Sequence, residues 1–180
     1  MNTADIKKAL QSLPARSKGC YAADRISCRV ELPAALVLNT DPARKSGEHW
    51  VAVYINENGH CTFFDSYGGG PTSEYHRYRL RRLCKRISYS KSQLQSFDSQ
   101  VCGEYCITFL HHMCRGHNLI SCRHLFTRDT RRNDRVAAEF YRRMFRKKKS
   151  NRQSSRVDSF PHDFSSGSGF QRCLPRSALL

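Results

Sequence analysis

The sequence predicts an α+β domain. A strand pair is written around a tight turn, with HWVAVYI and HCTFFDSY on either side of Asn56–Gly59. Segments with helical period precede and follow that pair. The length of 180 residues suits one domain with a real core and an appended tail.

Residues 3–13 read as a short amphipathic helix, with Thr3 as N-cap and Ile6, Ala9, Leu10 and Leu13 on one face. GCYAADRIS follows, and AALVLNT at 34–40 is apolar enough for a buried strand. An Asp-Pro turn and the polar ARKSGE lead into HWVAVYI, a run of aromatic and β-branched residues that favours a pleated surface. Because the arms of the hairpin are antiparallel, His49 at the start of the first and Asp65 near the end of the second become spatial neighbours. GGGP at 68–71 breaks the pattern. A basic helix is expected over 73–86, with Tyr75, Leu80, Leu83 and Cys84 turned to the core, and a strand over 87–94. Gly103–Met113 reads as a largely buried helix. A last amphipathic helix runs from about Arg135 to Phe145, its stripe made by Val136, Phe140, Tyr141 and Met144. The domain is therefore assigned to 1–147. The basic, Ser- and Gly-rich 148–180 has no period and reads as a disordered or partner-dependent tail.

Composition narrows the function classes. A net charge of +16 implies an acidic partner, nucleic acid above all, with a solvated surface and basic tail as the alternative. The N-terminal stretch carries charges and does not read as a leader, and no apolar run is long enough to span a membrane. Nine cysteines, an odd number, fit a reducing compartment in which one thiol is reactive and the others pack. Cys102, Cys106, His111, His112, Cys114, His117, Cys122 and His124 would suffice in number for zinc. Paired CxxC knuckles are missing and Cys106 sits in an apolar helix, so no metal site is expected.

Four residues carry the chemistry. Cys102 opens a helix, where free N–H groups and the dipole favour a thiolate, and Gly103 beside it lets a substrate backbone approach. His49 is the candidate base and Asp65 its orienter. Gln95, seven residues before the cysteine, can join the Cys102 N–H as an oxyanion donor; Gln100 lies too close to turn back, and Gln93 is a weaker rival. Each residue also has a structural alternative: a packed thiol, a surface histidine, a turn-capping aspartate, a polar loop glutamine.

The segments GEHWVAVYI, FFDSYG and LQSFDSQVCGEYC, with GCYAADRI and VLNTDP in support, resemble the adenain and SUMO-protease group of cysteine peptidases. They are most similar to the adenain-like proteases of adenoviruses and of Maverick/Polinton-type elements. The resemblance covers roughly 18–117, more loosely 1–147. Papain-like enzymes place cysteine before histidine, so the chain order here argues against them.

The resemblance implies a mixed central sheet flanked by helices, with the nucleophile at the N-terminus of a central helix. It gives Cys102, His49 and Asp65 the triad roles, Gln95 the oxyanion role, and Trp50 the wall of a narrow substrate channel, with a core tryptophan as the alternative. Adenain has glutamate at the acid position, and Asp65 is similar to the deconjugases there. It further implies an endopeptidase acting as a monomer, cutting after small residues such as glycine, with viral capsid and core precursors as substrates in the virion and host nucleus. No cofactor is required for that chemistry, although DNA and a viral peptide stimulate adenain. Two other readings compete: a deconjugase of a ubiquitin-like modifier, for which the chain lacks an obvious docking extension, and a non-catalytic nucleic-acid-binding protein built on RRNDRVAAEFYRRMFRKKKSNRQSSR.

Overall fold

The computed structural model describes the backbone of residues 1–153 and the side chains of residues 1–144. Helix α1 (Thr3–Leu10) leads to strand β1 (Ser17–Tyr21), a single 3-10 turn (Ala23–Arg25) and strand β2 (Ala34–Asn39). The hairpin of β3 (Trp50–Ile55) and β4 (His60–Phe64) follows, then helix α2 (Glu74–Leu83) and strand β5 (Arg86–Tyr89). Three helices close the described chain: α3 (Cys102–Met113), α4 (Leu119–Arg123) and α5 (Thr130–Gln153). The five strands form one mixed sheet in sequence order. β2, β3 and β4 are antiparallel neighbours, and β1 and β5 add to the two edges in parallel.

Period-2 alternation gives the sheet two apolar faces, so helices cover both. Ala35, Val37, Ala52 and Phe64 point to α1, α3 and α5, where they pack with Ile6, Leu10, Ile107, Leu110 and Ala137. The small Ala35 and Ala52 let the buried α3 lie close to the sheet, and Phe64 stacks on Phe109 with ring centroids 4.6 Å apart. On the other face Leu36, Leu38, Val51, Val53, Ile55 and Phe63 pack with Leu80 of α2. The sheet is thus the middle of three layers, and the expected arrangement of a mixed sheet flanked by helices, with Cys102 opening the central one, is the arrangement observed.

Several local expectations are corrected. The N-cap of α1 is Asn2, whose side chain accepts from the Asp5 N–H at 2.9 Å, and Leu13 is buried beyond the helix end. On α2 the core-facing partner of Leu80 is His76, 1% exposed and bonded to the Asn39 carbonyl at 2.9 Å, while Tyr75 faces water. The stripe of α5 is shifted likewise: Ala137 and Asn133 are buried and Val136 is exposed, because contact with α3 and the 94–98 loop fixes the helix phase. α5 also starts five residues before the expected Arg135, and its backbone stays helical to Gln153. The remainder of the expected tail, 154–180, lies outside the described residues.

Candidate active site

The hairpin register sets the first pair. Ala52 is opposite Phe64, so the residues just outside the ladder, His49 and Asp65, meet at one end of the sheet. His49 Nε2 lies 2.7 Å from Asp65 Oδ1, and both side chains are only 14% exposed, so the interaction is shielded from water. Asp65 is held by its own turn: Oδ1 also accepts from the Tyr67 N–H at 2.9 Å, and the Gly68 N–H bonds the Asp65 carbonyl. Glycine is required at two places here. Gly68 has φ +81°, and a Cβ on Gly69 would stand 2.6 Å from Asp65 Oδ2.

Cys102 is the first residue of α3, is buried, and lies beside His49 and the Trp50 backbone N–H. Nε2 of His49 is taken by Asp65, and the His49 side chain is also within reach of the Cys102 thiol. Burial works against a thiolate at Cys102. Hydrogen bonds from the His49 side chain and the backbone N–H groups of Trp50 and Gly103, with the charge on His49, outweigh it and hold the thiol below its ordinary value. Burial likewise opposes charge on His49, but hydrogen bonds to Asp65 and Cys102 push its pKa up to about 9. Each group is among the causes of the other's shift, so a charged His49 and a charged Cys102 favour one another. Burial pushes the thiols of Cys20, Cys114 and Cys122 the other way, to about 11, and drives Cys106 up as well. Cys84 is lowered by a hydrogen bond with Cys61, on the opposite face of the sheet.

Gln95 is fully buried beneath the loop that leads to Cys102. Its Oε1 accepts from the Ser66 hydroxyl at 2.7 Å, and its Nε2 donates to the carbonyl and hydroxyl oxygens of Ser99 at 2.9 and 3.1 Å. The glutamine therefore ties the loop to the turn that carries Asp65, and its amide donors point to Ser99. Trp50 is half-buried and lines a 260 Å³ cleft with Thr3, Cys20, Asn39 and Gly47. Gly47, at φ +83°, lies so close to Asn39 in the cleft wall that an added Cβ would stand 2.5 Å from Asn39 Nδ2. At Gly103 the room of a missing side chain holds Met1, whose Cβ would be 2.8 Å from an added one.

Several residues that shape the site were not singled out in the sequence. Asn133 Nδ2 donates to the Leu94 carbonyl at 3.1 Å, and the single O–H of Tyr105 is shared between that carbonyl and Asp134 Oδ1, each at 3.0 Å. Together they pin the start of the loop that carries Gln95. Tyr67 lies against His49 with ring centroids 4.7 Å apart, and Phe97 stacks on Tyr67 at 5.5 Å. FFDSYG and SFD contain these rings, but nothing in a linear reading brings the two segments together. Among the described residues no cluster of three or more His, Cys, Asp or Glu side chains is placed to hold a metal ion. His111 and His112 instead lie against each other and against Phe140, and His117 lies against His112.

No family model matches the chain, and no curated protein is similar to it in sequence. Among solved structures, the central domain of the uncharacterized Lpg1148 protein from Legionella pneumophila is similar, at 16% identity and a TM-score of 0.53. The match covers 82% of this chain and 96% of that domain, so the fold is shared along most of both. The crystal structure of the ASFV pS273R protease is similar over 58% of this chain, at 19% identity and a TM-score of 0.43. This chain spans 42% of that protein's length.

Proposed function

We propose that the protein is a cysteine endopeptidase of the adenain-like type, with Cys102 as nucleophile, His49 as general acid and base, and Asp65 as its orienter. The observation that carries this reading is the His49–Asp65 hydrogen bond of 2.7 Å beside a helix-opening cysteine whose thiol is held below its ordinary pKa. A thiolate aligned with an imidazolium is the resting state of a thiol protease, since it is both nucleophile and ready proton donor.

In the proposed reaction the Cys102 sulfur attacks the scissile carbonyl carbon, and the carbonyl electrons move to oxygen. The Cys102 backbone N–H, at the open end of α3, stabilises that oxyanion. Gln95 is proposed as the second donor, a role that requires its amide to turn away from Ser99 when substrate binds. As the tetrahedral intermediate collapses, the C–N bond breaks and His49 gives its proton to the departing amine. Water, deprotonated by His49, then attacks the thioester carbonyl; the C–S bond breaks, the acid product leaves, and the imidazolium–thiolate pair is restored.

Cleavage after small residues such as glycine is proposed from the resemblance of the motifs, with Trp50 in the wall of a cleft beside the site. By resemblance of the motifs, the proposed substrates are viral capsid and core precursors in the virion and host nucleus, with DNA as a helper bound through the basic surface. Replacing Cys102 by Ala should abolish cleavage of glycine-containing test peptides while leaving the thermal melt within a few degrees of wild type. A variant that still cleaves at the wild-type rate would end the assignment.

A further inference from the structure

The row of rings that begins at His49 ends in water. Tyr67 lies over the imidazole at 4.7 Å, tilted by 32°, and Phe97 stacks on Tyr67 at 5.5 Å and 22°. Phe97 remains 78% exposed despite that stacking. Its loop is nevertheless anchored. Gln95 is buried two residues before it, the Ser96 N–H reaches Asp134 Oδ1 at 3.4 Å, and Arg131 of α5 donates to Asp98 at 3.3 Å. The ring is thus presented to solvent by a loop fixed on both sides of it.

The sheet order gives this row a direction. The Trp50 cleft opens toward the edge made by β1 and β2, since Cys20 and Asn39 line it. Tyr67 and Phe97 lie on the other side of His49, on segments that lead from β4 and follow β5. A peptide laid across Cys102 with one half toward Trp50 would carry its other half toward the rings. The departing amine must receive its proton from His49, and Tyr67 covers a face of that imidazole.

From this we infer that Tyr67 and Phe97 form a subsite for an apolar side chain, aromatic or long aliphatic, within the first three residues after the scissile bond. The inference rests on the proposed peptidase reading and adds a specificity element to it. An apolar side chain laid against an exposed aromatic face removes both from water, and offset stacking adds to that gain when the side chain is aromatic.

The test uses the full chain and a tryptic peptide library from a whole proteome, with both sides of every new cut read by mass spectrometry. Wild type should enrich Phe, Tyr, Leu or Met after the cut, and Phe97→Ala should lose that enrichment while the preference before the cut keeps its pattern. Two peptides taken from the wild-type profile, differing only as Phe or Ser at the enriched position, should differ about tenfold in kcat/KM for wild type. The ratio should fall toward one in Phe97→Ala and lie between in Phe97→Leu. An identical profile after the cut in wild type and Phe97→Ala would overturn the subsite alone. No cleavage by folded wild type would overturn the peptidase reading, and the subsite with it.

Discussion

Cys102 and His49 titrate as a pair, and the signs of their shifts fix the pH window in which the pair exists. His49 is raised from an ordinary 6.5 to about 9, so its contribution to stability is complete below pH 6.5 and lost as pH climbs through about 9. Cys102 is lowered from an ordinary 9.0, so its contribution is present above 9.0 and lost as pH falls through its depressed folded value. The proposed ion pair would therefore span the pH range between that depressed value and about 9. Iodoacetamide labelling followed by mass spectrometry should find Cys102 alkylated fast at pH values well below 9.0. In His49→Ala the histidine hydrogen bond and charge are gone and burial remains, so the labelling midpoint should move upward. Cys84 serves as the internal comparison, because its lowered thiol depends on Cys61 and should not respond to the His49 change. Equal midpoints for Cys102 in the two proteins would remove His49 as its partner.

The elements of the site are held by contacts that differ greatly in how far they reach along the chain. Asn133, on α5, is 1% exposed and bonds Leu94 and Thr127 through Nδ2, while its Oδ1 accepts from the Thr127 N–H at 2.8 Å. Asn133→Ala would strand the Thr127 N–H and carbonyl and leave the Leu94 carbonyl to the Tyr105 hydroxyl, at a cost of about 1–3 kcal/mol. A lowered melting temperature, with cleavage falling more steeply than stability as the 94–98 loop loosens, is the expected outcome; an unchanged melt would show that the loop does not depend on α5. This anchor was not legible in the sequence, where Asn133 is one polar residue among arginines and its partner lies 39 positions away. The hairpin was legible, because Asn56–Gly59 fixes the turn, alternation fixes the register, and the two together bring His49 to Asp65. Helix phase was legible only where apolar residues were dense. α3 declared itself, but on arginine-rich α2 and α5 the true inward residues, His76, Asn133 and Ala137, lost to the larger Tyr75 and Val136. The five-residue α4 is too short to display a period at all. Gln95 could be chosen by its spacing from Cys102. Its bonds to Ser66 and Ser99 depend on the fold and were beyond a linear reading.

Over the whole molecule, 31 Lys and Arg face 15 Asp and Glu, and the imbalance is concentrated. α2 exposes Arg77, Arg81 and Arg82, half-buries Arg79, and is followed directly by the exposed Lys85 and Arg86. Among the described residues none of these cations takes part in an ion pair within 4.0 Å. Arg82 instead lies 4.5 Å over the ring of Tyr78, with Arg79 at 6.0 Å. Such a surface repels itself, and a polyanion relieves that repulsion while releasing its own counterions. α2 covers the sheet face opposite Cys102, so DNA bound there would leave the thiol open to substrate. Fluorescence anisotropy of a labelled duplex, repeated over a range of salt concentrations, should give a steep linear fall of log K with log salt. Arg77→Glu combined with Arg81→Glu should shallow that slope by about one for each phosphate that is no longer neutralised. Cys102 labelling in the same protein should keep its wild-type midpoint, because neither arginine touches the pair. A slope unchanged by the α2 substitutions would move the proposed DNA-binding surface off this helix and onto the basic C-terminal segment.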